Sequence, residues 1–193
     1  MTSIKTTLIL IVALLATSFG FNSCTNTPKK EDTKEIAEEQ NEPKRDATSE
    51  KDERFLVRAA EINLEEIQLG SLAQQRGTLA DVKSMGKMME DAHTKAMGEI
   101  TGLASSTGIA IPTAPTDSAK DAYKKLSEKT GGDFDKEYCD MTVKGHKDAI
   151  DVFEKASNEC DDAAIKSFAA GALPELRMHL THAETCQNKL KGM

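Results

Sequence analysis

The chain has 193 residues, 38% hydrophobic and 30% charged, with a formal net charge of −7, four cysteines and no tryptophan. That acidic balance, with no clustered Lys/Arg patch, excludes nucleic-acid binding, which needs local positive charge against phosphates. No Gly-rich phosphate loop, serine elbow or zinc-protease helix motif is present, so the sequence points away from an enzyme.

Residues 1–23 form an expected lipoprotein signal peptide. Lys5 supplies a short positive start, and Thr6 to Phe19 is an apolar run too short to span a bilayer. It ends in Phe21-Asn22-Ser23-Cys24, which resembles a bacterial lipoprotein cleavage box, with Cys24 the acylated residue. The alternative is an ordinary secretory signal cut nearby. Both readings take the mature chain out of the cytoplasm, and the first places it on a membrane of the bacterial cell envelope, facing the periplasm or the cell surface. Residues 24–52 are expected to be the lipidated cysteine and a disordered, charged tether, because Ile36 is its one large aliphatic and Pro28 and Pro43 interrupt it.

Residues 53–193 show helical rather than alternating periodicity, which predicts one all-α domain. Helix one is expected from Glu53 to Gln75, with the seam Phe55, Ala59, Ile62, Glu66, Leu69, Ala73, and is broken at Gly77. Thr78 with Asp81 predicts a capping box for helix two, which runs to about Ser105. Its seam is Val82, Gly86, Met89, His93, Ala96, Ile100, Leu103. Gly108 and Pro112 end it; Thr116 or Asp117 caps a short helix to Lys129. Asp133 caps helix three, with the seam Cys139, Val143, His146, Ile150, Phe153 up to about Asn158. Asp161 opens helix four, whose seam is Ile165, Ala169, Ala172, Leu176, His179, Ala183, Cys186, Leu190, with a kink predicted at Pro174.

Helices one and two are joined tightly, as are three and four, whereas residues 106–132 are long enough to run back along a bundle. Two antiparallel hairpins with a long crossover and a short extra helix predict a ferritin-like four-helix bundle. An up-down-up-down bundle with a decorated loop is the alternative.

Three seams each carry one inward histidine, and His182 alone lies off a seam. In the second hairpin, facing residues share a constant index sum: His146 with His179 and Cys139 with Cys186 are each level, one heptad or about 10.5 Å apart. The cysteine pair is therefore expected to form a disulfide, leaving Cys160 free. His93, His146 and His179, with Glu66, make a ligand set for Zn, Fe or Cu. Glu66 faces Met89 better than His93 across the first hairpin. Glu90-x-x-His93 has the glutamate–histidine spacing of di-iron bundles, which adds Glu90 as a candidate. A full di-iron centre is not expected, because Val143 stands three before His146. Met85, Met88, Met89, Met97 and Met178 would suit Cu(I), although methionine at helical spacing ordinarily fills a core. The plain alternative for the histidines is a buried polar cluster that keeps the helices in register.

Leu64 to Gly70 (LEEIQLG), Met89-x-x-x-His93, Phe134-Asp135-x-x-Tyr138 followed by His146, and Leu173-Pro174-x-Leu176-x-x-His179 resemble the bacterial family called domain of unknown function 4142. The resemblance covers about Arg54 to Leu190. It implies an exported protein with a ferritin-like bundle, and it places the recurrent polar residues on Glu66, His93, His146 and His179. Ala92 and Gly145 depart from it, standing where an acidic residue usually precedes the first two histidines. Two functions follow as expectations: an envelope metal-binding lipoprotein, or a non-catalytic lipoprotein whose bundle binds another envelope protein.

Overall fold

The structure, a computed structural model, describes residues 32–42 and 49–192. The signal peptide and Cys24 lie outside the described residues. The described residues form six helices and no strand: α1 Thr33–Asn41, α2 Glu50–Arg76, α3 Ala80–Thr107, α4 Asp117–Ser127, α5 Gly131–Glu159 and α6 Ala163–Lys191. None of them is long and apolar enough to cross a membrane.

Four long helices make the bundle, and the hairpin loops reveal its topology. At one end the Asp135 carboxylate, near the start of α5, accepts from the backbone N–H groups of Thr78 and Leu79 and from the Thr78 hydroxyl. At the other end Asp52, near the start of α2, accepts from the N–H groups of Asp161 and Asp162, before α6. The start of α2 therefore meets the end of α5, and the reverse, so these helices are antiparallel. Lys189 pairs with Asp81, which makes α3 and α6 antiparallel as well. All four neighbouring pairs run antiparallel, and α3 lies parallel to α5 across the diagonal. Only the long crossover delivers that arrangement; in an up-down-up-down bundle α2 and α5 would be parallel. The architecture is the ferritin-like one.

Two expected caps are corrected. Asp133 does not cap α5, which begins at Gly131 after Thr130 with no side-chain bond at its start. Thr78 does not cap α3, whose N-cap is Leu79 with no side-chain bond; Thr78 is instead held by Asp135. Within the crossover, α4 is capped by Thr116 and packs on α2. Gln68 donates to the Ala119 carbonyl at 2.5 Å, and Arg76 to the carbonyls of Ser127 and Lys129. α6 continues through Pro174 as one helix.

The hairpin of α2 and α3 closes on two glycines. A Cβ on Gly70 would meet the Gly86 carbonyl oxygen at 2.7 Å, and one on Gly86 would meet that of Gly70 at 2.6 Å. Backbone touches backbone there, so both positions need hydrogen for a side chain.

The expectation of a disordered tether over 24–52 is corrected over Thr33–Asn41. Thr33–Asn41 is helical, capped by Asp32, and buries Ala37 and Asn41. The Asn41 amide exchanges two hydrogen bonds with the backbone of Ala110, at 2.9 and 2.7 Å. Lys34 pairs with Glu61 at 3.2 Å. Charge density alone misjudged this segment: Glu35, Glu38 and Glu39 face solvent, and one amide satisfies the otherwise unpaired backbone of the crossover. α2 likewise begins three residues before the expected Glu53.

The core is two apolar clusters stacked end to end. One is built on Phe55, Leu56, Ile100, Phe153 and Ile165. The other is built on Leu69, Val82, Met89, Phe134 and Tyr138. Glu66, His93, His146 and His179 fall between them along their helices and are all buried. The polar layer sits at mid-bundle.

Candidate metal centre

Each ring is aimed by a different helix. His93 on α3, His146 on α5 and His179 on α6 have centroids 5.3 to 5.6 Å apart. One nitrogen from each lies within 4.8 Å of the other two.

Hydrogen bonds choose the tautomers of two rings. The Asn63 amide nitrogen donates to the Ala59 carbonyl at 2.7 Å, turning its oxygen toward His93 Nδ1 at 2.9 Å. Nδ1–H of His93 therefore donates, and Nε2 keeps its lone pair, buried and without a hydrogen-bond partner. His146 Nδ1 is 3.0 Å from the Thr142 carbonyl, which can only accept, so its Nε2 is again the lone-pair nitrogen. That Nε2 lies 3.4 Å from His179 Nδ1. The separation is long for an N–H···N bond. It is close to the spacing of about 3.3 Å between two ligands on a tetrahedral ion with bonds of about 2.0–2.1 Å. His179 Nε2 is buried without a partner too.

Glu66 sits beside this set, with Oε1 3.6 Å from His146 Nδ1 and Oε2 unpartnered. Burial pushes its carboxyl up to about 8, and the nearby Glu65 adds to the rise. Burial also lowers all three imidazoles: His146 falls to about 4, and His93 falls well below its ordinary value, each helped by repulsion from neighbouring rings. His179 is lowered by burial and by His182, against a rise from Glu175. Tyr138, its hydroxyl buried and unpartnered, is raised by burial and then by Glu66. At neutral pH the layer is thus three neutral rings beside a protonated carboxylic acid and a phenol, with lone pairs turned inward. Neutral imidazoles with free lone pairs are the form that binds a cation.

Access is narrow. A cleft of about 30 Å³ between α3 and α6 is lined by Ala92, Ala96, Ala172 and Glu175 and reaches His93 and His179. It has room for an ion or a water. A cavity of about 370 Å³ at the Cys160 end touches none of the histidines, whereas a wider surface groove of about 580 Å³ includes His179 in its lining.

The predicted residues divide as follows. His93, His146 and His179 come together, with Glu66 beside His146. Glu90 does not join them: half-buried, it accepts from Gln74 on α2. The cysteine pair lies at a second level, as the index sum requires, with the sulfurs of Cys139 and Cys186 2.6 Å apart and all three described cysteines as thiols. Gly145 departs from the family resemblance for a local reason: a Cβ there would come 2.9 Å from Glu66 Oε1, so the Glu66 carboxylate occupies that space. The sequence reading missed Asn63 and the Thr142 carbonyl. Asn63 was within reach of it. Gly70 and Gly86 face each other and sum to 156, and so do Asn63 and His93.

No curated protein and no solved structure matches the chain significantly. Residues 37–186, most of the chain, match the family described as Domain of unknown function. Together with its helical fold and histidine cluster, that match places the chain in the DUF4142 family.

Proposed function

We propose that this is a lipid-anchored protein of the bacterial cell envelope whose bundle holds one transition-metal ion, Zn, Fe or Cu, through His93, His146 and His179. The observation that carries the reading is the convergence of three buried, neutral imidazoles with nitrogens within 4.8 Å of one another. Asn63 and the Thr142 carbonyl act as the outer partners that orient ligating rings. Glu66 is the group that gives up a proton when a cation arrives, and its carboxylate then offsets part of the charge. A bound ion would supply Lewis acidity. The innermost cleft, of about 30 Å³ beside His93 and His179, has room for an ion or a water, which favours holding or passing on an ion over catalysis.

Metal analysis of protein purified without a histidine tag is the test. About one equivalent is expected, and His179→Ala should abolish it. The rival reading is a structural polar layer in a lipoprotein that docks on an envelope partner. It draws on the hydrogen bonds that Asn63 and Thr142 already make to two of the rings. On that reading no metal is retained, and replacing all three histidines with leucine is neutral or stabilising, because the buried polar groups leave together.

A further inference from the structure

The α3/α6 interface is the loosest of the four between neighbouring bundle helices, and open grooves run along its outer side. One, of about 580 Å³, is lined by Met88, Met178 and His179 among others. The next, of about 350 Å³, is lined by Met85, Met88, His182 and Cys186 with four polar residues. Met88 belongs to both. The Nδ1 atom of His182 lies 3.3 Å from the Met88 sulfur. Met178 stands four residues before His182, on the same face of α6. Met178 is 45% exposed, the most exposed large hydrophobic among the described residues. Neither Met178 nor His182 has a packing role to explain it.

We propose that Met88, Met178 and His182 form a second, outer site for a soft monovalent cation, Cu(I) in the cell and Ag(I) as its probe. Thioether sulfur is a soft, neutral ligand that favours Cu(I) over Zn or Fe, and imidazole serves copper equally well. A nitrogen and a sulfur 3.3 Å apart can share one ion at ligand bonds of roughly 2.0–2.3 Å. Of the flanking charges, Lys87 pairs with Asp91 at 2.8 Å and Lys189 with Asp81, while Lys95 and Glu175, one of each sign, also line the groove. Two uncharged thioethers and one imidazole therefore make up the donor set. Because His179 lines the same groove as Met88 and Met178, the outer site lies on the approach to the inner rings. It does not depend on the inner site being occupied.

The test is an Ag(I) titration of tag-free protein carrying ¹³C-methyl methionine and ¹⁵N histidine. The first equivalent is expected to shift the Met88 and Met178 methyls and the His182 ring nitrogens, leaving the buried Met89 methyl unmoved. His182→Ala combined with Met88→Leu, both at positions outside the sealed core, should weaken Cu(I) binding against bicinchoninate competition by about tenfold or more. Equal Cu(I) affinity in the double variant, or shifts confined to core methionines, would overturn the outer site. Shifts at His93 and His146 on addition of Zn(II) report the inner site separately, so either site can fail while the other stands.

Discussion

Asn63 decides which nitrogen of His93 carries the proton. Its amide is anchored on Ala59 and presents oxygen to the ring at 2.9 Å, so the lone pair is left on Nε2. Asn63→Ala would leave a buried Nδ1–H unpaired, at a cost of about 1–3 kcal/mol. It should also lower metal affinity by roughly 10–100-fold, as loss of an orienting partner does. Urea unfolding and a chelator competition measure the two effects. Lost stability with unchanged metal affinity would show that Asn63 only satisfies the core. Glu66 is a second residue whose surroundings matter more than its type: beside Gly145 it has room to lie against His146, and burial keeps it protonated.

At the scale of elements, the two hairpins hold each other by a reciprocal device. Asp52 binds the loop before α6 and Asp135 the loop before α3, at opposite ends of the bundle. Asp135→Ala leaves two loop N–H groups without their acceptor and should cost about 1.5–3 kcal/mol. Because the two sites are so far apart, the Asp52→Ala, Asp135→Ala double variant should show nearly additive losses of denaturation free energy. Strong non-additivity would mean that one loop detaches before the other. The pair of α5 and α6 carries its own prediction. Cys139 and Cys186 share a level on adjacent helices with their sulfurs 2.6 Å apart, so in an oxidising compartment they are expected to join. Peptide mapping without reduction should recover a Cys139–Cys186 linked peptide and free Cys160. Recovery of Cys139 linked to Cys160 would contradict α5 as one continuous helix, since about 30 Å of rise separates the two along it.

For the whole molecule, the buried layer sets a pH optimum for the metal-free protein. The folded rings resist protonation, whereas unfolded histidine protonates near 6.5. Below pH 6.5 the unfolded state therefore binds protons that the folded state refuses, and stability falls as pH falls, down toward 4 for His146. Glu66 acts in the opposite sense: folded, it keeps its proton up to about 8, against 4.5 unfolded, so its contribution is lost as pH rises between those values. Each group changes stability by about 1.4 kcal/mol per pH unit inside its window. Three rings outweigh one carboxyl below 6.5, and only Glu66 acts above it. These four groups place maximum stability near pH 6.5, and urea midpoints at pH 5, 6.5 and 8 in the presence of a chelator measure it. A midpoint still rising from 6.5 to 8 would mean that Glu66 is ionised in the folded protein. The proposed anchor also belongs to this scale: Cys24→Ser should move the protein from the membrane fraction to the soluble one, since a multiply acylated N-terminus holds firmly and an unacylated one does not.

The sequence by itself determined the four long helices, their seams and the hairpins, because a 3.6-residue period and short loops are local properties. It also determined that His93, His146 and His179 point inward, since a seam position is a statement about one helix. The index sum extended this across a loop, bringing Cys139 level with Cys186 and His146 level with His179, because the helices of a tight hairpin keep register about the turn. The tertiary structure alone decided what crosses between hairpins. The Asp52 and Asp135 clamps join residues whose partners lie 56 or more positions away, and no periodicity encodes such a pairing. The same holds for α1, whose charged composition suggested a tether but whose Asn41 found the backbone of Ala110. Composition measures average solvation; a single well-placed amide is invisible to it. Whether three inward rings share one point also required the tertiary fold, because the height of one hairpin against the other is set by clamps and core packing.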